Sequence, residues 1–440
     1  MQVSWKLAHY KYFILLYPQP VLLVLGNAVM PRIPAGYRIL IAIAIAFVLG
    51  LIVGYALLYL PSGARSSAAS WLKAFGDIFV RLIRVVIPVL IFFTIAAATA
   101  SIASARRLGI ILAWMLVLYI GTSILASTWG LLIGLVVKPG EGIGLKPPAE
   151  YKPPSPPTGV DILMSFFQLD FYNLLTVGGS MTMIIFAMLL GLGVVLFMGE
   201  TGRIVANYLK IGSDIMISVV RVIMYYAPVA VFCYAAWLIA VYGPQMLGAY
   251  AKFLVAQYAI TLFHFFVVYS ILVALGGLNP VKYFKAQSTP FLVAFTTRSS
   301  AVTLPYNMEA AKRMGVPDEI FNVTLPIGAT VNMDGTAIYQ ALSAVFIAQL
   351  FGIQLTPAHY GLIIAAAVIG SVATAAIPGG GTIMLAYVLA TVGLPLEGIG
   401  IMLVIDPIAD AIRTAINVSG DTACTVLLTR IIGEKLRPQV

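Results

Sequence analysis

The chain has 440 residues, 61% of them hydrophobic and only 10% charged, with a formal net charge of +10. That balance excludes a soluble globular enzyme and places the chain in a lipid bilayer as an all-α, multi-span membrane protein. In a soluble domain the positive charge would point to nucleic acid; here the cations lie between apolar stretches, where they set membrane orientation, and nucleic acid is rejected as a partner.

In chain order, Lys6 and Lys11 precede an apolar run in the manner of a signal peptide, but Pro18 and Pro20 interrupt it and no small-residue cleavage pattern follows. The segment is expected to be retained, with residues 13–30 either interfacial or a short extra span. Ile39–Leu60 is long and apolar enough to cross the membrane, and Gly50 and Gly54, four apart, permit close helix packing. A second span is predicted from about Phe79 to Ile102, followed by a cytoplasmic turn at Arg106 and Arg107. The third, Leu108–Val137, carries the polar residues Tyr119, Thr122 and Ser123. Residues 146–157, KPPAEYKPPSPP, are too rich in proline to pack and read as an external loop. Three further spans are predicted over Asp161–Met198, Ile215–Val241 and Lys252–Leu278, with Arg203, Lys210, Lys282 and Lys285 on the cytoplasmic side. Lys312, Arg313, Arg430, Lys435 and Arg437 fall on that side too, and both termini are expected there.

Beyond Phe284 the apolar stretches are broken by TTRSSAVTLP (296–305), PIGATVNMDGT (326–336) and SVATAAIPGGGT (371–382). Non-helical backbone at membrane depth is tolerated only where it lines a cavity or is buried in protein, so three breaks in succession point to a site at mid-membrane. A hairpin with a Ser-rich tip followed by a span, then a hairpin with a Gly-rich tip followed by a span, has the form of an inverted repeat of discontinuous helices, as in secondary transporters.

The last span carries IDPIADAIRTAINVSGD. At about 100° per residue, Asp406, Asp410, Arg413, Asn417 and Asp421 fall within roughly 80° of one another and form one stripe. An amphipathic cytoplasmic helix with an Asp410–Arg413 ion pair would share that spacing, but the uncharged flanks GIGIMLVI and TACTVLL argue against it. At membrane depth the carboxylates of Asp334, Asp406, Asp410 and Asp421 outnumber the guanidinium groups of Arg298 and Arg413 by two, so bound cations or protons must compensate. Asp334, in NMDG, sits where Gly335 permits a helix break that frees carbonyls for a hard cation. The fork of Arg413 suits a carboxylate and Asp410 suits an amine; together they describe an amino acid with an acidic side chain. PGGG is flexible enough to act as a lid. Cys233 and Cys424 lie in apolar segments and His9, His264 and His359 lack ligand spacing, so neither a disulfide framework nor a metalloenzyme centre is indicated. His264 reads as a hydrogen-bonded interior residue.

The ordered motifs TRSSxxTLP, PxGATxNMDGTA, a PGxG tip and IDxxxDxxRTxxNVxGD resemble the glutamate transporter family of dicarboxylate and amino acid:cation symporters over nearly the whole chain. That resemblance implies a homotrimer in the cell membrane, each protomer having eight transmembrane helices, two re-entrant helical hairpins and an elevator-type transport domain. It divides the chain into 1–107 (N-terminal segment and spans 1–2, mainly scaffold), 108–145 (span 3, transport), 146–157 (external loop), 158–247 (spans 4–5, scaffold) and 248–440 (span 6 through span 8, transport core). Substrate would bind at Arg298, Ser299, Ser300, Thr336, Ile377, Gly381, Asp410, Arg413, Thr414 and Asn417. The co-transported ion Na+ would bind at Gly328, Asn332, Asn417 and Asp421; at Tyr119, Thr122, Ser123, Asn332 and Asp334; and at Thr330, Met333, Ser371, Val372 and Thr374. No organic cofactor is implied. Ala301 stands where family members often have a third serine, and Ala376, Gly380 and Pro407 depart from the archaeal pattern; these departures bear on affinity and lid movement more than on substrate class.

The function expected is sodium-coupled import of aspartate or glutamate, with a proton-coupled or sodium-independent carrier of acidic amino acids or dicarboxylates as the alternative. An intramembrane hydrolase with Ser299 or Ser300 as nucleophile, or Asp334 and Asp421 as an aspartic pair, lacks a base near the serines and a protease-like setting for the aspartates. A purely passive anion channel is a further rival, which concentrative uptake excludes.

Overall fold

The computed structural model describes residues 35–100, 106–145, 180–374 and 379–437, and among these there are helices and loops and no strand. The expectations for residues 13–30, for the loop at 146–157 and for Ile377 lie outside the described residues. The chain divides into two compact units, Met1–Ala42 and Ile43–Val440. Of the first, only residues 35–42, the opening turns of a helix, are described.

The helices are α1 (Ala35–Leu57), α2 (Ser62–Ala100), α3 (Arg106–Val137), α4 (Ser180–Phe197), α5 (Gly199–Met224) and α6 (Ala227–Tyr242). They continue with α7 (Gln245–Phe263), α8 (Tyr269–Leu275), α9 (Pro280–Thr297), α10 (Ser300–Arg313) and α11 (Asp318–Val331). The last four are α12 (Asp334–Leu350), α13 (Pro357–Val372), α14 (Gly380–Val392) and α15 (Gly398–Ile431). Among the described residues, three helical stretches are long and apolar enough to cross a membrane: Ser62–Ala97, Ile110–Val137 and Gln245–Leu275. The second expected span begins well before Phe79, since α2 runs unbroken from Ser62 through Pro88. The span expected over Ile215–Val241 is two helices, α5 and α6, bent by 50° at their junction. Pro228, which has no N–H and enters at the start of α6, accounts for that break.

The breaks expected after Phe284 have local causes. Asn279 caps α9 by accepting from the Val281 N–H at 2.8 Å, and Pro280 opens the helix. Arg298 ends α9 in the left-handed region (φ 52°), and Ser299, in extended backbone, caps α10. Asn332 and Met333 are non-helical and separate α11 from α12. A Thr356–His359 capping box starts α13, and Gly379, with φ 81°, opens α14. Between α7 and α8 the helix passes through a π turn, His264–Val268, closed by a Tyr269 N–H to His264 carbonyl bond.

α2 packs against α4, α5 and α6, while α15 is buried along most of its length and contacts α7 and α9–α12. Side chains from the surrounding helices donate to its main-chain carbonyls. Tyr250 reaches Ile401 (2.7 Å), Tyr258 reaches Ile408 (2.8 Å) and Gln257 reaches Ala409 (3.0 Å). Further along, Tyr269 reaches Ile416 (3.2 Å), Asn307 reaches Val418 (2.9 Å) and Tyr283 reaches Ser419 (2.7 Å). Pro407 is held within this helix, and its carbonyl accepts from Arg298 Nη1 at 2.9 Å.

The close packing expected of Gly50 and Gly54 is present: a Cβ on either would come 2.6 Å from a main-chain oxygen of α6, that of Phe232 or of Ala236. α3 meets α12 in the same way at Gly130, where a Cβ would abut the Ile338 carbonyl group. Gly130→Val is therefore expected to separate these helices at a cost of about 1–3 kcal/mol. The measurement is thermal unfolding in detergent micelles, and a midpoint equal to wild type would show that the two helices accommodate the side chain.

Candidate functional site

The breaks at 298–299, 332–333 and 379 converge on the middle of α15. Arg298, Ser300, Met333, Thr336, Thr374, Gly381, Asp410, Arg413, Thr414 and Asn417 line one polar cavity of about 10 Å³. That is room for a single water molecule and not for an amino acid. Of the predicted substrate residues, the cavity gathers all but Ser299, which accepts from the Val302 N–H at 3.4 Å as a cap, and Ile377, outside the described residues.

Arg413 is 1% exposed. Its Nε and Nη2 donate to Asp410 Oδ1 at 3.1 and 2.5 Å, and Nη2 also reaches Asp406 Oδ1 at 3.1 Å. The ring of Tyr339 lies 4.4 Å from its Cζ, a cation–π contact. Nη1 is buried with no hydrogen-bond partner among the described residues. Gly381 is a glycine for steric reasons: a Cβ there would stand 2.8 Å from Arg413 Cζ. The Gly379 N–H donates to Asp410 Oδ2 at 3.3 Å, so the start of α14 and the junction of α9 with α10 both lie beside Arg413. Thr414 Oγ1 donates to Asp410 Oδ1 at 3.4 Å. Asn417 is turned toward the first turn of α12: its Oδ1 accepts from the Gly335 and Thr336 N–H groups at 2.8 and 3.3 Å, and its Nδ2 donates to Thr336 Oγ1 at 3.1 Å.

The predicted cation-binding sets are distributed unevenly. Asn332 Nδ2 donates to Asp421 Oδ1 at 3.1 Å, and Gly328 lies so close that a Cβ would be 2.8 Å from that oxygen. Asn417, placed in the same set, spends its side chain on α12 instead. In the second set, Thr122 and Ser123 donate to Asp334 Oδ1 at 3.0 and 3.1 Å, and Asn332 Oδ1 is buried without a partner among the described residues. Tyr119 points its hydroxyl to the Thr324 carbonyl (3.2 Å) and not to Asp334. The third set is the loosest. Met333 and Thr374 line the cavity, whereas Ser371 Oγ bonds its own helix at Val368, Val372 ends α13, and Thr330 is exposed with its hydroxyl on Ile327.

Sequence reasoning missed several partners. Tyr269 donates to Asp334 Oδ2 at 2.9 Å, and His264 Nε2 stands 3.4 Å from the same oxygen. The interior placement of His264 is as expected, but neither ring nitrogen has a hydrogen-bond partner among the described residues, so it is not a satisfied core histidine. Tyr339 and Thr382 were also missed: Thr382 bonds Asp406, and Tyr339 reaches Thr382 at 2.7 Å. The available signal was a polar residue two positions after NMDGTA, Tyr339, and one directly after PGGG, Thr382.

Residues 37–431 match the sodium:dicarboxylate symporter family. Among similar proteins, the proton/sodium-glutamate symport protein of Geobacillus stearothermophilus is 29% identical over 89% of this chain and 94% of its own length. A C4-dicarboxylate transport protein of Rhodopseudomonas palustris (strain BisB5) is 30% identical over 90% of this chain and 89% of its own. The proton/glutamate-aspartate symporter of Escherichia coli (strain K12) is 28% identical over 88% and 91% respectively. With its helical architecture and its broken helices meeting at buried charges, the chain belongs to the sodium:dicarboxylate symporter family, whose members are membrane transporters and not enzymes.

Proposed function

We propose that this transporter carries acidic amino acids, aspartate or glutamate, inward with sodium. The observation that carries the substrate is the pairing of Arg413 and Asp410 in one cavity, with Arg413 Nη1 buried and unpartnered beside a carboxylate able to meet an ammonium group. A plain dicarboxylate has the same two carboxylates but no ammonium group, and so leaves Asp410 without a ligand cation, which the amine of an acidic amino acid supplies. The names of the relatives from Geobacillus stearothermophilus and Escherichia coli support this reading. Arg298, Ser300, Thr336, Gly381, Thr414 and Asn417 complete the lining, Ser299 and Ile377 are assigned to the substrate by motif alone, and α14 acts as the lid that must lift, since the cavity as it stands holds only one water.

Sodium is favoured because Asp334 takes the Thr122 and Ser123 hydroxyls and Asp421 has the Asn332 side-chain amide beside it, neutral groups whose oxygens a hard cation uses and a proton does not need. The proton-coupled reading rests on His264, 3.4 Å from Asp334. Eight spans, two re-entrant hairpins, a homotrimer, an elevator movement of the 248–440 core with span 3, and cytoplasmic termini belong to the same proposal. The pairing of α9 with α10 and the short apolar helices α13 and α14 support the hairpins.

Arg413→Lys keeps a cation beside Asp406 and Asp410 and so spares the fold, but it loses the planar fork; aspartate affinity is expected to fall by about tenfold or more. Calorimetric titration of the purified protein checks this, and retained affinity contradicts the assignment of Arg413. For Asp410→Asn, the ratio of aspartate to succinate uptake in liposomes is expected to collapse toward one; a ratio equal to wild type removes Asp410 from the amine site. Aspartate titrated in sodium and in choline buffer decides the coupling. Tighter binding in sodium is expected because both ligands favour the same closed arrangement; equal affinities, with uptake driven by a pH gradient, establish the proton reading instead.

A further inference from the structure

We infer that Thr382 is a positioning residue that holds Asp406 away from one arm of Arg413 and so keeps that arm open for the ligand. This rests on the reading of Arg413 as the group that receives a carboxylate. Thr382 sits in the first turn of α14, directly after the glycine tip, and its hydroxyl donates to Asp406 Oδ1. A hydroxyl has one proton, and Asp406, ion-paired with Arg413, can only accept. The 2.7 Å contact between Thr382 and Tyr339 therefore has Tyr339 as its donor. The chain of bonds runs from Tyr339 to Thr382 to Asp406, and closes on Arg413, whose Nη2 donates to the same Oδ1 at 3.1 Å and whose Cζ lies against the Tyr339 ring.

The consequence lies in the geometry of the fork. One guanidinium faces two carboxylates, and both of them are engaged at Nη2, with Asp410 also on Nε. A carboxylate free to turn prefers two parallel bonds to a guanidinium edge. Without the Thr382 hydroxyl, Asp406 turns to take Nη1 together with Nη2, and the ligand must then displace a carboxylate already in place. Because Thr382 rides on α14, the same bond links the seating of the lid to the availability of Arg413: lifting the N-terminus of α14 withdraws the hydroxyl and releases Asp406 onto the fork. Gln340, whose Nε2 donates to the Gly381 carbonyl at 3.2 Å, ties that turn of α14 to α12 beside Tyr339.

The test is calorimetric titration of the full-length purified chain with L-aspartate in sodium buffer. Thr382→Val, close in shape but without the hydroxyl, is expected to weaken binding by about tenfold, the effect of one charge-assisted bond, and Thr382→Ser to restore it. Tyr339→Phe keeps the ring on Arg413 and removes only the donor to Thr382; it is expected to weaken binding in the same direction by less. In an Asp406→Asn background, where the competing charge is absent, Thr382→Val is expected to change affinity by less than twofold. Wild-type affinity in both Thr382→Val and Tyr339→Phe overturns the inference, and so does an undiminished loss in the Asp406→Asn background, which would mark Thr382 as a packing residue of the lid. A wild-type protein that binds neither aspartate nor glutamate would instead remove the reading of Arg413 on which the inference stands.

Discussion

The structure depends on the cost of holding ionised groups in an apolar slab. Asp334, Asp406, Asp410, Arg413 and Asp421 are each at most 5% exposed, and α15 carries four of them. An isolated charge in such surroundings costs several kcal/mol, so each group imposes a partner on its neighbours. Arg413 meets that demand for two carboxylates at once. Asp334 and Asp421 have no guanidinium; hydroxyl and amide donors from α3, α8 and the break between α11 and α12 surround them instead. The division separates a zwitterionic cluster on α15 from two anionic settings, one at Asp421 further along the same helix and one at Asp334 at the start of α12.

The irregular backbone follows from the same constraint. Main-chain groups freed at membrane depth must be buried in protein or line a cavity. Arg298 and Gly379, where the helices stop, do the latter or abut it, and the N–H groups released at Gly335 and Thr336 are taken by Asn417. α15 itself is not broken. Its carbonyls accept a series of side-chain donors from α7 through α10, so it is a fixed post against which the shorter helices are arranged.

Much of this was legible in the chain. The stripe from Asp406 to Asp421 and the interruption at NMDG follow from helical periodicity and from the penalty on unpaired charge, which are local properties; the grouping of residues 298–300 and 381 with Arg413 came from the motifs and their family resemblance. What remained hidden was which distant residues answer those charges. Tyr269 and His264 lie in an apolar run with no motif, and Thr382 follows a glycine tip that was read for flexibility alone. Two of the three glycines have other reasons: Gly379 adopts a left-handed conformation and Gly381 makes way for the Arg413 guanidinium. The bend between α5 and α6 was missed because hydropathy averages over a single proline. The residues grouped by motif lie together where a carboxylate anchors them, whereas Thr330 and Ser371 each turn the hydroxyl to a carbonyl of their own helix.

The π turn at His264–Val268 lets two side chains of one helical run address Asp334 together. In an uninterrupted α-helix, residues five apart diverge by about 140°, and His264 and Tyr269 could not both address one carboxylate. The bond from the Tyr269 N–H to the His264 carbonyl spans five residues and stacks the two side chains on the same side, at 3.4 and 2.9 Å from Asp334 Oδ2. The extra residue in that turn is thus a register device. What would break the arrangement is ordinary winding of the same residues and not the loss of one: relaxing the segment to an α-helix would rotate everything beyond it by about 100° and carry Tyr269 off both Asp334 and the Ile416 carbonyl, whereas deleting one residue would leave His264 and Tyr269 four apart, about 40° from each other. The two windings share one composition and one hydropathy.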